Sequence, residues 1–195
     1  PDYELQLRRS RLFEQYDIYG WEFMDWLHDD GVQFSYWLGV YTSTDQGLTF
    51  DQVDTGPAFK LIEHQDTMWY GSWRMVFYSP DNGITWNLFR NFGNKIAEDI
   101  QAVYRANGVL TLYAGDLLQD GYIYSVTGFG GEPQLEFQDP DYHLGKGLTG
   151  GDSVIVADGF SRGVPISIDS GRTWTFIEYP LVVNSRVHGV AYLNG

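Results

Sequence analysis

The sequence contains no cysteine among its 195 residues, which excludes a disulfide framework, a thiolate metal site and a thiol nucleophile. Positive charge is scarce as well: 12 Lys and Arg stand against 26 Asp and Glu, a formal net charge of −14. A phosphate backbone binds by counterion release to clustered cations, so nucleic acid is not expected as a partner. Apolar runs are strand-sized, well short of the roughly 20 residues that a spanning helix needs, and no membrane insertion is expected. P-loop, dinucleotide and nucleophile-elbow patterns are all missing, so no cofactor is expected.

Aromatic residues and glycine are plentiful: 7 Trp, 14 Tyr, 12 Phe and 23 Gly. Alternating apolar and polar residues, without a long helical stripe, point to many short strands joined by tight turns and hence to an all-β chain. At this length one domain, 1–195, is expected.

The chain repeats itself. Ser43 to Phe50 (STDQGLTF), Ser79 to Trp86 (SPDNGITW) and Ser167 to Trp174 (SIDSGRTW) all read S-x-D-x-G-x-T-[WF]. The first two lie 36 residues apart and the last two 88, room for one degenerate copy between them. Tyr122-Ile123-Tyr124-Ser125, followed by a Gly-rich turn through Gly131 and a strand 134–138, supplies it, with Thr127 in the Asp place. His28 and His64 share the 36-residue offset, so the repeat extends beyond the turn. Each unit is read as a meander of four strands. Strands A are expected at 21–27, 59–64, 100–106 and 144–149, and strands B at 32–37, 68–73, 109–115 and 154–157. Strands C lead into each motif Ser, and strands D start at its Thr.

The motif resembles the Asp-box, or BNR repeat, of β-propellers such as sialidases, xyloglucan-degrading enzymes, sorting receptors and photosystem assembly factors. The resemblance implies a β-propeller of four-stranded antiparallel blades, at about 18–54, 55–92, 97–139 and 142–180. It implies structural roles for Ser43, Asp45, Gly47, Thr49, Phe50, Ser79, Asp81, Gly83, Thr85, Trp86, Ser167, Asp169, Gly171, Thr173 and Trp174. The chemistry agrees: Asp accepts from nearby backbone N–H groups, Gly allows positive φ, and the hydroxyls close the hairpin. The remaining segments, 1–17 with an outer-strand pattern and 185–195 with an inner-strand pattern, read as parts of a fifth blade. Either they close a five-bladed ring between them, or the chain is a segment of a larger ring covered by other chains.

In this topology the B–C and D–A loops share one face, and an architecture of this kind hosts unrelated functions. The ligand-binding candidates there are Trp73, Arg74, Asp116, Asp120, Asp141, Asp158 and Arg162. Exposed aromatics beside carboxylates and an Arg suit a protein or glycan partner. Sialidase chemistry would need three Arg and a Tyr–Glu pair; Arg74, Arg162 and Arg186 lie near strand ends, but the Arg-Ile-Pro signature is missing and no Tyr–Glu pair is marked. Asp116, Asp120, Asp139, Asp141 and Asp158 offer carboxylate pairs of the kind that hydrolyse glycosides, none of them singled out by spacing. His28, His64, His143 and His188 have no ligand-spaced partners, so no metal is expected. The reading is a non-enzymatic binding or structural module, in an extracellular or virion assembly and with an oligomer in view; the alternative is a sialidase-like glycoside hydrolase.

Overall fold

The computed structural model describes residues 24–28, 31–36, 39–45, 48–56, 58, 61–115, 121–128, 130–139, 147–157 and 163–178. These form four antiparallel sheets, each a simple meander in chain order. The first holds β1 (Met24–His28), β2 (Gly31–Tyr36), β3 (Gly39–Ser43) and β4 (Asp51–Asp54). The second holds β5 (Ile62–His64), β6 (Thr67–Ser72), β7 (Met75–Ser79) and β8 (Asn87–Asn91). The third holds β9 (Ile100–Ala106), β10 (Val109–Gly115), β11 (Gly121–Thr127) and β12 (Gln134–Asp139). The fourth holds β13 (Leu148–Gly150), β14 (Ile155–Ala157), β15 (Gly163–Ser167) and β16 (Thr175–Glu178). Among the described residues the one helical turn is 3-10, Gly93–Lys95, and no helix is long and apolar enough to cross a membrane.

Within a sheet, burial fades outward. All of β10 is buried, β7 mixes buried and half-buried positions, and β8 and β16 are mostly exposed. This gradient is what stacked blades require, because the inner strands are covered by neighbouring sheets and the outermost strand has solvent on its free edge. One core runs through the second, third and fourth sheets, from Trp69 and Val76 through Ile100, Leu112 and Ile123 to Leu148 and Ile155. A smaller cluster of Val40, Ala58, Leu61 and Tyr70 joins the first sheet to the second. Close approach of β6 to β9 depends on Gly71, since a Cβ there would lie 2.5 Å from both Cγ2 and the carbonyl oxygen of Ile100.

Two differences from the sequence expectation bear on the motif turns. Strands β4, β8 and β16 begin two residues after the motif Thr, at Asp51, Asn87 and Thr175. The Thr belongs to the turn because both its N–H and its hydroxyl are bound to the motif Asp. The third sheet is also in a different register from the expected one. Met68 faces Ser79, whereas its equivalent Leu110 faces Val126, so Val126 and not Ser125 takes the place of the motif Ser. A break in the C–D register recurs between Val40 and Tyr41, Val76 and Phe77, and Ile123 and Tyr124, which aligns the three sheets on the same basis. A one-residue slip moves a side chain to the other face, and Ser125 accordingly hydrogen-bonds Glu136 at 2.6 Å. The expected fifth-blade segments, 1–17 and 185–195, lie outside the described residues.

Candidate functional site

An antiparallel meander puts its A–B and C–D turns at one end and its B–C and D–A connections at the other. The motif turns therefore lie on one face with the A–B turns. In the second blade Ser79 Oγ donates to Asp81 Oδ1 at 2.7 Å and accepts from Gly83 N at 2.7 Å. Asp81 also accepts Thr85 N at 2.9 Å and Thr85 Oγ1 at 2.6 Å. The fourth blade repeats the set: Ser167 to Asp169 at 2.9 Å, Gly171 to Ser167 at 2.8 Å, and Thr173 to Asp169 at 2.8 and 2.7 Å. In the first blade Asp45 takes Ser43, Leu48 N and both groups of Thr49.

Two consecutive left-handed residues make this turn: Asn82 and Gly83 at φ +56° and +79°, and Ser170 and Gly171 at +64° and +86°. Only the Gly was expected to carry positive φ; Asn and Ser tolerate it at the preceding position through their short polar side chains. The hydrogen bonds fix the protonation state. For Asp45, those from Thr49 and Ser43 hold the carboxyl well below the usual range. For Asp81 and Asp169, burial pushes upward, and the bonds from Thr85 and Ser79 or from Thr173 and Ser167 outweigh it, leaving both lowered. These carboxylates are committed to their own hairpins.

The opposite face is built differently. Trp73 and Arg74 form the two-residue B–C turn of the second blade, with Trp73 at φ +50° and 43% exposed. Both carbonyls pin the neighbouring D–A connection: Ile100 N donates to Trp73 O at 2.5 Å, and Phe92 N to Arg74 O at 2.8 Å. The Arg74 guanidinium donates to Asn94 Oδ1 at 3.1 Å and Ala97 O at 3.0 Å. Ala97 N in turn donates to Tyr124 Oη at 3.1 Å. Lys95 grips both Glu132 oxygens, at 2.7 and 2.6 Å, while Arg90 reaches Gly131 O and Glu132. The hydrogen bond and charge of Lys95, with Arg90 behind it, keep Glu132 lowered and ionised. The loop from 92 to 99 is therefore braced by the B–C turn of its own blade and by β11 and the C–D turn of the next.

Of the sequence candidates, Trp73 and Arg74 meet in this corner, with Arg74 acting on the D–A loop. Asp116, Asp120, Asp141, Asp158 and Arg162 lie outside the described residues, as do Gly47, Arg186, His143 and His188. His28 and His64 end their A strands, opposite Gly31 and Thr67. Among the described residues no group of three or more His, Asp or Glu could hold a metal ion. Two features have no sequence signal. Tyr70 donates a short hydrogen bond to Asp54 Oδ2 across the seam between the first two blades, while Asp54 Oδ1 accepts from Gly56 N at 2.9 Å. Burial raises the Tyr70 phenol far above its ordinary value, and the bond to Asp54 and its charge add to that. The second is Asn107, whose amide bridges Asp152 O at 2.8 Å and Ser170 Oγ at 3.0 Å, linking the third blade to the fourth.

The sequence matches no family model and no curated protein. Its fold matches solved structures. A GH74 xyloglucanase from Xanthomonas campestris superimposes with a TM-score of 0.53 at 16% identity, covering 81% of this chain and 30% of its own. An ancestral GH74 enzyme gives 0.57 at 14% identity over 83% of this chain and 24% of its own. An extracellular domain assigned to a hybrid two component system of B. thetaiotaomicron gives 0.57 at 10% identity over 87% of this chain and 24% of its own. The chain thus spans between 24% and 30% of the length of these structures. With four four-stranded meanders packed through their inner strands, the protein is a blade-based β-propeller.

Proposed function

We propose that this chain is a non-enzymatic β-propeller module built on Asp-box (BNR) turns. It presents its B–C and D–A loops to a protein or glycan partner within a virion or another extracellular assembly. The observation that carries this reading is the contrast between the two faces. On the motif face Asp45, Asp81 and Asp169 spend their oxygens on their own turns. On the other face a large aromatic residue, Trp73, stands partly exposed on a braced corner. Rigid presentation of an aromatic contact is what a binding surface needs, because it lowers the entropy lost on association. Carboxylates outside the motifs support the same reading: Asp54 serves a seam, Glu136 a strand pair and Glu132 a loop brace.

The test pairs activity with binding. The purified chain is incubated with xyloglucan and with a fluorogenic sialoside, and no turnover is expected. Parallel arrays of glycans and of candidate protein ligands are probed with the chain and with variants on each face. Loss of binding from changes at Trp73, but not from Ile84→Ser on the motif face, supports the proposal. Turnover of either substrate would replace it with the hydrolase reading.

A further inference from the structure

We infer that Asn107 is a site of spontaneous deamidation, in which the Gly108 nitrogen displaces ammonia from the Asn107 side chain and Arg172 promotes the step. The reaction turns a bridge between the third and fourth blades into a carboxylate on the motif face.

The first argument is the choice of site. Asn-Gly is the pair in which ring closure meets least hindrance, because glycine carries no side chain beside the attacking nitrogen. The sequence holds three such pairs, at 82–83, 107–108 and 194–195, the last outside the described residues. Gly83 N is committed, donating to the buried Ser79 Oγ at 2.7 Å. Gly108 instead stands at the exposed tip of a two-residue hairpin, outside the ladder that pairs Ala106 with Val109. Nothing lies within 4 Å of the place a Cβ on Gly108 would take, so a five-membered imide has room to form.

The second argument is electrostatic. The attacking nitrogen must first give its proton to solvent hydroxide, and a cation bonded to the carbonyl of the same peptide unit favours the resulting anion. Arg172 supplies that cation: its guanidinium donates to Asn107 O at 3.3 Å and is anchored by a second bond to Asp169 O at 2.9 Å. The bond from Gly108 N to Asn107 Cγ then forms as the Cγ–Nδ2 bond breaks, and the departing nitrogen takes a proton from water to leave as ammonia. Water opens the imide to Asp, or to isoAsp with the main chain rerouted through the side-chain carbon.

The leaving nitrogen is the one that joins the blades, since Nδ2 donates to Asp152 O at 2.8 Å and to Ser170 Oγ at 3.0 Å. Both bonds go with it. A carboxylate in its place accepts only and is left beside the Asp152 carbonyl, which needs a donor.

The test keeps the full chain in mildly alkaline buffer made with heavy-oxygen water and follows positions 82 and 107 by peptide mapping and mass spectrometry. Heavy oxygen should enter position 107 well ahead of position 82. Arg172→Gln should slow the change at 107 by about threefold, the scale of an exposed charge interaction, and leave 82 unaffected. Arg172→Lys should restore most of the rate, and Gly108→Ala should nearly abolish it. Asn107→Asp, which makes the product directly, should lower the thermal midpoint by about 3 °C. Equal rates at the two positions, or a faster change at 82, would mean that local sequence alone sets the chemistry and would overturn the inference. A rate at 107 that Arg172→Gln leaves unchanged, or that Arg172→Lys fails to restore, also overturns it. An Asn107→Asp protein as stable as the parent rejects the conversion of a bridge.

Discussion

The motif turns of the second and fourth blades make the same bonds and then part company. Ser to Asp is 2.7 Å in one and 2.9 Å in the other, and Thr N to Asp is 2.9 and 2.8 Å. Beyond the turn, Trp86 packs edge-on to Tyr70 at 4.8 Å in the seam with the first blade, and its indole N–H is buried without a partner. Trp174 instead donates to Gly171 O at 3.2 Å and packs on the main core. Asn82 is exposed, whereas Ser170 is 3% exposed and bonded to Asp152 O at 2.6 Å and to Asn107. One local device thus serves two docking arrangements. The turn is a property of eight residues; what it leans on is a property of the neighbouring blade.

The sharpest way to break this comparison is Gly171→Ala. The residue is at φ +86°, and a Cβ would lie 2.2 Å from Thr111 Oγ1. Strain and overpacking together should cost about 3 kcal/mol, measured by urea unfolding. Adding Thr111→Ala should recover part of it, because the Thr111 Cβ is at an ordinary 3.5 Å. Failure to recover would mean that backbone strain alone sets the cost.

Next come the turn carboxylates. Asp81→Ala and Asp169→Ala should each lose about 1–2 kcal/mol, by similar amounts despite the different docking, and neither should alter binding at the opposite face. A much larger loss for Asp169→Ala would show that its turn and its docking are one cooperative unit. Asn107→Ala, which removes the bridge to Asp152 and Ser170, should cost about 1 kcal/mol.

Acid should reveal the same carboxylates. Their folded pKa values are depressed, so the stability they contribute is fully present above the ordinary value of 3.8 and is lost as pH falls through it toward the folded values. The gap in urea midpoint between the parent and the Asp81→Ala/Asp169→Ala double variant should therefore hold from pH 6 to pH 5 and close progressively below pH 4. A gap that persists unchanged to the lowest folded pH would remove the carboxylate charge from the explanation. The smallest expected effect is Thr111→Val. The Thr111 hydroxyl is buried and unpaired, so replacing it should be neutral or stabilising by up to about 1 kcal/mol.

Legibility followed the range of the interaction. Strands 100–106 and 109–115 were readable to the residue, because the Asn107-Gly108 turn between them has φ +47° and +77° and selects a tight hairpin. In the second and fourth sheets the inner strand begins later than expected, at Ile62 and Leu148. The apolar residues before Ile62 illustrate why: Leu61 is buried as a cluster member and not as part of a ladder. Alternation cannot separate those two reasons for burial. The degenerate repeat was legible as a hairpin but not in register, since Ser125 looked like a motif Ser and only the pairing of Leu110 with Val126 shows otherwise. At the candidate site, Trp73-Arg74 was visible as an aromatic and basic corner, but the destination of the Arg74 guanidinium, 20 and 23 residues along the chain, was not.

By itself the sequence determined the hairpins, the three Asp-centred turns and the order of strands within a blade. Each of these rests on hydrogen bonds between residues a few positions apart, and short-range bonding is written in short-range patterns. Only the tertiary structure decided which blades share a core, that Gly71 lets β6 meet β9, that Tyr70 bonds Asp54 and that Asn107 ties two blades together. Those contacts depend on how sheets stack, and stacking is settled by the fit of side chains from distant segments, which no local pattern encodes.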